Sequence, residues 1–350
     1  MGIINSKLQR LLPYNPDIEA DMIHLDANES CFDLPWQLKQ RISDAVAKQS
    51  FNRYPDPFAT KLCVAFGIYI GLDEKYITAG NGSDELISII FGSFLEKGDK
   101  ALILQPDFSM YKFYCAITEC EAIIISKQEN LNFYADEIIR VANEQQVKMI
   151  IFSNPCNPTG QGIMSVDVMR IVKSVNCLVV IDEAYMEFWN ESVLEFVEAA
   201  SNLIVLKTCS KALGLAAIRL GFAMANEEIT EYLRMAKSPY NVNSLTQAVG
   251  ETVLKQTDYL SNTLKQIIEL RDELYLILKD FERKNFKVFE THTNFLLIES
   301  DISTQIYKAL KQNDISVRLI EQKYLRVSVG TQSENEKLID ALKNIMREVY

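Results

Sequence analysis

The sequence lacks several features that would define other protein classes. It contains no run of eighteen apolar residues, so a membrane-spanning helix is not expected. The sequence has only two histidines, His24 and His292, so neither a serine–histidine triad nor a multi-histidine metal site is favoured. No bound metal is expected. We interpret both histidines as structural and expect the two tryptophans, Trp36 and Trp189, to pack rather than bind a ligand.

Positive charge is scarce relative to negative charge. The chain has 36 Lys and Arg against 47 Asp and Glu, a formal net charge of −11. Because nucleic acids and acidic membranes require a basic face, neither is an expected partner. An anionic ligand would need a local cluster of arginines.

The cysteines show no pattern typical of a disulfide framework or a zinc site. None of the seven forms a CxxC pair, and no secretory leader precedes them. We therefore expect a reduced, cytoplasmic setting. The cysteines are Cys31, Cys63, Cys115, Cys120, Cys156, Cys177 and Cys209.

The order of apolar runs predicts an α/β protein with two domains. From about residue 75 to 225, short β-rich runs alternate with amphipathic stretches, which is typical of a mostly parallel sheet with helical crossovers. Strands are predicted at 101–104, 122–125, 148–152, 177–181 and 203–206, and helices at 84–95, 135–145 and 166–175.

After about residue 240 the pattern changes. Long helical stretches continue to about residue 280, and short strands come next at 286–288, 295–298, 315–319 and 325–329, as in a smaller α+β domain. We expect 30–235 to form the large domain, and 1–29 with 236–350 to form an N-terminal arm and a small domain. With no low-complexity linker, the two domains should pack closely.

Polar motifs stand directly after three of the predicted strands, where ligands bind in open α/β sheets. These motifs are residues 153–160 (SNPCNPTG), 182–185 (DEAY) and 207–211 (KTCSK), with Arg219 eight residues after Lys211. Residues 79–86 (AGNGSDEL) add a glycine turn and a helix start, where free N–H groups and the helix dipole favour an anion.

In this order and at these strand ends, the motifs resemble the framework of fold-type I pyridoxal-phosphate aminotransferases. The resemblance extends from residues 25–29 (LDANE) to 325–330 (LRVSVG). It implies a mostly parallel central sheet with helices on both faces, a smaller α+β domain, and pyridoxal 5'-phosphate as cofactor.

The resemblance also implies roles for individual residues. Lys211 would hold the cofactor as a Schiff base and move a proton, because a lysine with a lowered pKa can do both. Asp182 would keep the pyridine nitrogen protonated, and Asn157 and Tyr185 would hydrogen-bond the phenolic oxygen. Phe108 stands where the family usually stacks a tyrosine on the ring. The phosphate would be held by Gly82, Ser83, Asp84, Ser210 and Arg219, with Tyr54 supplied by the partner of a homodimer.

Further segments resemble the histidinol-phosphate aminotransferases in particular, namely residues 12–14 (LPY), 53–56 (RYPD), 293–297 (TNFLL) and 317–318 (VR). The implied reaction converts L-histidinol phosphate and 2-oxoglutarate to imidazole acetol phosphate and L-glutamate in histidine biosynthesis. Arg318 and Arg326 would hold phosphate and carboxylate groups, and Tyr14 and Asn28 would line the substrate side. The connection between the two arginines is short for the family.

Three alternatives share this framework. An aromatic amino acid aminotransferase would keep every cofactor residue, and a threonine-phosphate decarboxylase-like lyase would break the bond from Cα to the carboxylate instead. A non-catalytic domain fused to a DNA-binding module is disfavoured, because the chain is acidic and keeps the full catalytic set.

Overall fold

The computed structural model describes residues 5, 7, 21–128, 130–283 and 285–349. The strands are β1 (Ile23–Leu25), β2 (Ile77–Gly80), β3 (Lys100–Gln105), β4 (Glu121–Ser126), β5 (Met149–Ser153), β6 (Leu178–Asp182), β7 (Leu203–Thr208), β8 (Gly221–Ala225), β9 (Phe286–Val288), β10 (Phe295–Ser300), β11 (Ile315–Ile320) and β12 (Tyr324–Ser328). The α-helices are α1 (Trp36–Ala47), α2 (Thr60–Ile70), α3 (Ser83–Phe94), α4 (Met110–Thr118), α5 (Ala135–Gln145), α6 (Ser165–Ser174), α7 (Glu227–Ala236), α8 (Ser244–Leu254), α9 (Thr257–Lys279), α10 (Ser303–Gln312) and α11 (Gln332–Val349).

The larger sheet has the strand order β2-β8-β7-β6-β5-β3-β4. Within the run β7-β6-β5-β3-β4, each strand is parallel to its neighbours. Strand β8 is antiparallel to both β7 and β2. All five strands predicted between residues 101 and 206 are present as β3 to β7, within two residues at each end. The prediction of a mostly parallel sheet is therefore confirmed.

Helices cover both faces of this sheet, which explains why its strands are apolar runs rather than alternating ones. On one face, Ala101 and Ile103 pack with residues of α3, α4 and α7. On the other, Leu102 and Leu104 pack with residues of α2, α5, α6 and α8. Burial on both sides holds the sheet rigid beneath the loops at its carboxyl edge.

The smaller sheet has the order β1-β11-β12-β10-β9 and is antiparallel except for the parallel pair β1–β11. Its core joins Leu25 of β1 to Ile315 of β11 and to residues of α9, α10 and α11. Strand β1, which precedes the large sheet in the sequence, is thus part of the smaller sheet near the C-terminus. The boundaries 30–235 and 236–350 stay a prediction.

The connection between β11 and β12 is a tight hairpin. The N–H of Lys323 donates to the carbonyl oxygen of Ile320 at 3.1 Å. Glu321 and Gln322 both have positive φ, 49° and 58°, as in turns whose twist matches that of the flanking strands. The short connection noted in the sequence therefore places Arg318 directly opposite Arg326.

The two tryptophans behave differently. Trp189 stacks on His292 with ring centres 4.3 Å apart, as expected of a packing residue. Trp36 begins α1 and is 69% exposed, so the expectation that it packs within this chain is wrong. No described helix combines the length and the apolar character that crossing a membrane requires.

Candidate active site

The polar motifs come together at the carboxyl edge of the large sheet. Ser153 at the end of β5 lies opposite Asp182 at the end of β6, and Asp182 lies opposite Leu206 in β7. Because these strands are parallel, the segments after them leave the sheet side by side. Residues 26–28, directly after β1 of the smaller sheet, contact them from the opposite side.

Lys211 lies after β7, half-buried, and reaches across to the other sheet. Its Nζ donates to the carbonyl oxygen of Ala27 at 2.8 Å and lies 5.9 Å from the ring centre of Tyr185. Burial, together with the positive charges of Arg326 and Arg219, lowers the pKa of this amine to about 8. A lysine of this kind is neutral often enough to act as a nucleophile and a base.

Asp182 is buried at the end of β6, with 4% of its surface exposed. Its Oδ2 accepts a hydrogen bond from the hydroxyl of Tyr111 at 2.8 Å, and its Oδ1 accepts one from the N–H of Ala184 at 3.1 Å. Burial raises the pKa of the carboxyl to about 7 despite these two donors. A cationic partner would therefore be needed to keep it fully ionised at neutral pH.

Asn28 holds Tyr185 in place. It is almost fully buried and has a positive φ of 54°, which asparagine tolerates better than most residues. Its Nδ2 donates to the Tyr185 hydroxyl at 2.9 Å, and its own N–H donates to Ser328 Oγ at 2.8 Å. Asn294, directly before β10, donates from its Nδ2 to the Asn28 carbonyl oxygen at 3.0 Å, so residues of two neighbouring strands or their ends hold Asn28.

Arg326 joins Asn157 to the same cluster. Its Nη1 donates to Asn157 Oδ1 at 2.6 Å, its Nη2 donates to the carbonyl oxygen of Asp26, and the guanidinium carbon lies 5.5 Å from the ring centre of Phe295. Arg318, on the neighbouring strand, is exposed. The structure thus brings Arg326 into the cluster and leaves Arg318 at its outer side.

A narrow cradle lies at the start of α3. A side chain at Gly82, whose φ is 82°, would place its Cβ 2.9 Å from Nη2 of Arg219, and one at Gly221 would meet the Ser83 nitrogen at 2.5 Å. The Arg219 Nη1 donates to Ser210 Oγ at 3.3 Å, and its Nη2 pairs with Asp84 Oδ2 at 3.4 Å. A helix start, an arginine and a small hydroxyl residue are what an anion binds.

The remaining predicted residues lie around this centre or outside it. Phe108 is half-buried and meets the Tyr111 ring edge-to-face, with centres 5.5 Å apart. Tyr54 is 81% exposed and stacks on Tyr240 at 4.5 Å. Tyr14 lies outside the described residues.

Three residues of the cluster were not assigned a role from the sequence. Tyr111 could have been noticed because it lies three residues after Phe108, within reach of the same strand end. Ser328 and Asn294 gave no such indication. They reach Asn28 only because β10 and β12 lie side by side in the smaller sheet.

The charge of Arg326 gives a testable pH dependence. Since a positive neighbour disfavours a charged lysine, Arg326→Gln should move the pKa of Lys211 upward from about 8, toward its ordinary 10.5. The neutral amine reacts with an aldehyde, so the rate at which the protein reacts with an added aldehyde such as pyridoxal phosphate should rise with pH and level off at a higher pH in the variant. Stopped-flow absorbance measures this midpoint.

The matched control is Arg283→Gln, which removes an exposed arginine near β9. It should leave the midpoint unchanged. A midpoint that is the same in the Arg326→Gln variant and in the parent protein would contradict the electrostatic coupling.

Known proteins resemble this chain in sequence and in fold. The aminotransferase class I and II family matches residues 20–342. The chain is 41% identical over 335 residues to a histidinol-phosphate aminotransferase of Clostridium novyi, covering 95% of this chain and 94% of that protein. It is 40% identical over 350 residues to one of Clostridium kluyveri, covering 99% of each. The solved histidinol-phosphate aminotransferase of Sinorhizobium meliloti in complex with pyridoxal-5'-phosphate has a TM-score of 0.90 at 19% identity, over 100% of this chain and 99% of that one.

The cofactor of this family fits the groups that the structure brings together. Pyridoxal phosphate carries an aldehyde, a ring nitrogen that can be protonated and a phosphate. A lysine of lowered pKa, a buried carboxyl that needs a cationic partner and a cradle lined by an arginine match these three groups. On sequence, fold and the chemistry of this cluster, the chain belongs to the aminotransferase class I and II family, among the histidinol-phosphate aminotransferases, and uses pyridoxal phosphate.

Proposed function

We propose that the protein transfers the amino group of L-histidinol phosphate to 2-oxoglutarate, with imidazole acetol phosphate and L-glutamate as products. The observation that carries this proposal is the position of Arg326. Its guanidinium lies among Asn157, Asp26 and Phe295 and acts electrostatically on the Lys211 amine. A substrate that carries an anionic group near its reacting amine would meet a cation there.

Lys211 is the proposed catalytic base. Bound pyridoxal phosphate supplies an electron sink for the pair of electrons left behind when a bond to Cα breaks. The neutral amine of Lys211 would take the proton from the substrate Cα in the first half-reaction and, as the ammonium, give it to the C4' atom of the cofactor. In the second half-reaction the amine would take the proton from C4' and give it to Cα. Its pKa of about 8 keeps both protonation states accessible near neutral pH.

Asp182, Asn157 and Tyr185 are proposed to hold and tune the ring. The Asp182 carboxylate would face the ring nitrogen and keep it protonated. Asn157 and the Tyr185 hydroxyl would donate to the phenolic oxygen, and both are already held by other side chains, Arg326 and Asn28. Phe108 would stack on the ring face.

The phosphate is proposed to lie in the cradle at the start of α3. The N–H groups of Ser83 and Asp84 lie in the first turn of that helix, and Gly82 leaves room beside Arg219. The Ser210 hydroxyl completes the set in this chain. The Asp84 carboxylate would repel the phosphate. Its ion pair with Arg219 offsets part of this repulsion.

On the substrate side we propose Arg326, Arg318, Asn28 and Tyr14. Arg326 would bind the substrate phosphate in one half-reaction and the carboxylate of the 2-oxo acid in the other. Arg318, opposite it on the hairpin, would bind the phosphate at the mouth of the site.

We further propose a homodimer in which Tyr54 reaches the partner's phosphate cradle. Tyr54 is 81% exposed, and Phe51 and Phe58, close to it in the sequence, are exposed as well. Several exposed large apolar side chains in one segment are typical of an interface. The Tyr54 ring stacks on Tyr240, and the adjacent Asn241 hydrogen-bonds Glu85 of α3 at 2.8 Å. We also propose that the enzyme is cytoplasmic, because its seven cysteines are free, as is usual in a reducing compartment. The proposed reaction belongs to histidine biosynthesis.

Single-turnover spectroscopy tests the substrate. Histidinol phosphate, phenylalanine and threonine phosphate are added separately to the protein loaded with cofactor. We expect rapid loss of the absorbance of the lysine-bound cofactor with histidinol phosphate alone. Loss only with phenylalanine would move the substrate to aromatic amino acids, and carbon dioxide release from threonine phosphate without a 2-oxo acid would indicate a lyase.

A further inference from the structure

Tyr111 is a fully buried tyrosine whose hydroxyl contacts a candidate site residue at the end of β6. It lies in the first turn of α4, with 0% of its surface exposed, and its hydroxyl donates to Asp182 Oδ2 at 2.8 Å. Its ring packs edge-to-face against Phe108. The side chain thus touches two residues proposed to hold the cofactor ring.

We propose that Tyr111 is a positioning residue that holds Asp182 ionised and oriented toward the ring nitrogen of the cofactor. The inference rests on the proposed role of Asp182. It adds a residue that acts through that carboxylate.

The charges around Asp182 explain why this hydroxyl matters. The side chains that act on it electrostatically from neighbouring elements are Asp107, just after β3, and Asp84, at the start of α3. Both are acidic and therefore disfavour a charged Asp182. The donors that favour the charged form are the Ala184 N–H and the Tyr111 hydroxyl. Without the Tyr111 hydroxyl, only the Ala184 N–H would favour the charged form of Asp182, while burial and two acidic neighbours disfavour it.

The direction of this hydrogen bond is fixed by the environment of Tyr111. Burial, and next the charge of Asp182, raise the pKa of its hydroxyl well above its ordinary value. The hydroxyl therefore keeps its proton and can only donate to the carboxylate at any pH at which the enzyme would work. The two Asp182 oxygens are thereby held by one donor each, which sets the plane of the carboxylate.

The test compares two ring chemistries in the variant Tyr111→Phe. Apoenzyme is titrated with pyridoxal phosphate and with its analogue in which the ring nitrogen is replaced by a C–H group. A hydrogen bond to a charged group contributes enough that its loss should weaken pyridoxal phosphate binding by about 10- to 100-fold. The analogue needs no ionised Asp182, so its Kd should change by less than about 3-fold.

A second readout is kinetic. The variant should lose kcat by about 10- to 100-fold with little change in KM, because the substrate contacts remain. A second variant, Tyr111→His, retains a donor at this position and should bind pyridoxal phosphate more tightly than Tyr111→Phe does. This rescue would not occur if the ring only filled space.

The matched control is Tyr76→Phe. Tyr76 is also a buried tyrosine that donates to a carboxylate, Glu198 Oε1 at 2.6 Å, at the opposite end of β2 from the glycine turn. It should leave both affinities unchanged. Equal weakening of both ligands in Tyr111→Phe, or weakening of neither, would overturn the inference. Failure of the parent protein to bind pyridoxal phosphate would instead overturn the proposed function, and this inference with it.

Discussion

Lys211→Ala is expected to lower kcat by at least about 10⁴-fold and to abolish the visible absorbance of the lysine-bound cofactor. The variant removes both the amine that binds the cofactor aldehyde and the base at Cα. Within the described part of the chain, the Lys211 amine makes one hydrogen bond, to the backbone oxygen of Ala27, so its removal should lower activity without unfolding the protein. Absorbance of the purified protein and steady-state turnover measure the two effects.

The control for this variant is Lys279→Ala, at the end of α9, where the lysine pairs with Glu282 on the surface. It should retain full turnover and absorbance. Thermal unfolding of both variants shows whether the fold is kept. Retention of the absorbance and of turnover in folded Lys211→Ala would reject the assignment of this lysine.

Lys207→Met is expected to lower the free energy of unfolding by about 3–5 kcal/mol. The Lys207 Nζ lies 2.9 Å from Glu187 Oε1 and 3.3 Å from Glu183 Oε2, and the three side chains are 7%, 10% and 0% exposed. Burial alone would lower the pKa of the lysine, but the two carboxylates outweigh it and raise the pKa, so the amine stays charged. Methionine fills a similar volume and leaves two buried carboxylates without their cation.

Urea unfolding measures this loss. The matched control combines Lys207→Met with Glu183→Gln and Glu187→Gln, which removes all three charges together. Since a neutral buried cluster costs less than an unbalanced one, the triple variant should be more stable than Lys207→Met alone. A single variant within about 1 kcal/mol of the parent protein would contradict the prediction.

Much of the site was predictable because chemistry and chain order coincide in a parallel sheet. Residues 153–160, 182–185 and 207–211 each lie at or just after the end of a strand, and parallel strands bring such segments to one edge of the sheet. The glycine turn before α3 was predictable for a similar local reason, since helix starts carry free N–H groups. The roles of the individual residues stay predictions, which the variants above test.

Other parts depended on contacts between distant segments. Lys207 stands four residues before Lys211 in a run that could equally lie on a surface, and only the packing of β7 beside β6 gives it Glu183 as a partner. Arg318 and Arg326 look equivalent in the sequence and lie directly opposite each other in the sheet, yet one is exposed and the other is half-buried. The difference arises because Asn157 and the Asp26 backbone, from distant parts of the chain, contact Arg326.

The amino-acid sequence by itself determined the α/β class, the order of the strands along the chain and the polar residues at the strand ends, because periodicity and strand-end motifs are local. Only the tertiary structure decided that Tyr111 meets Asp182, that Asn28 is held by Ser328, and that β1 joins the C-terminal sheet. The hydrogen bonds of Tyr111 with Asp182 and of Asn28 with Ser328 join residues that are 71 and 300 positions apart in the sequence. Contacts between such distant residues form only when the chain folds, so local sequence patterns do not show them.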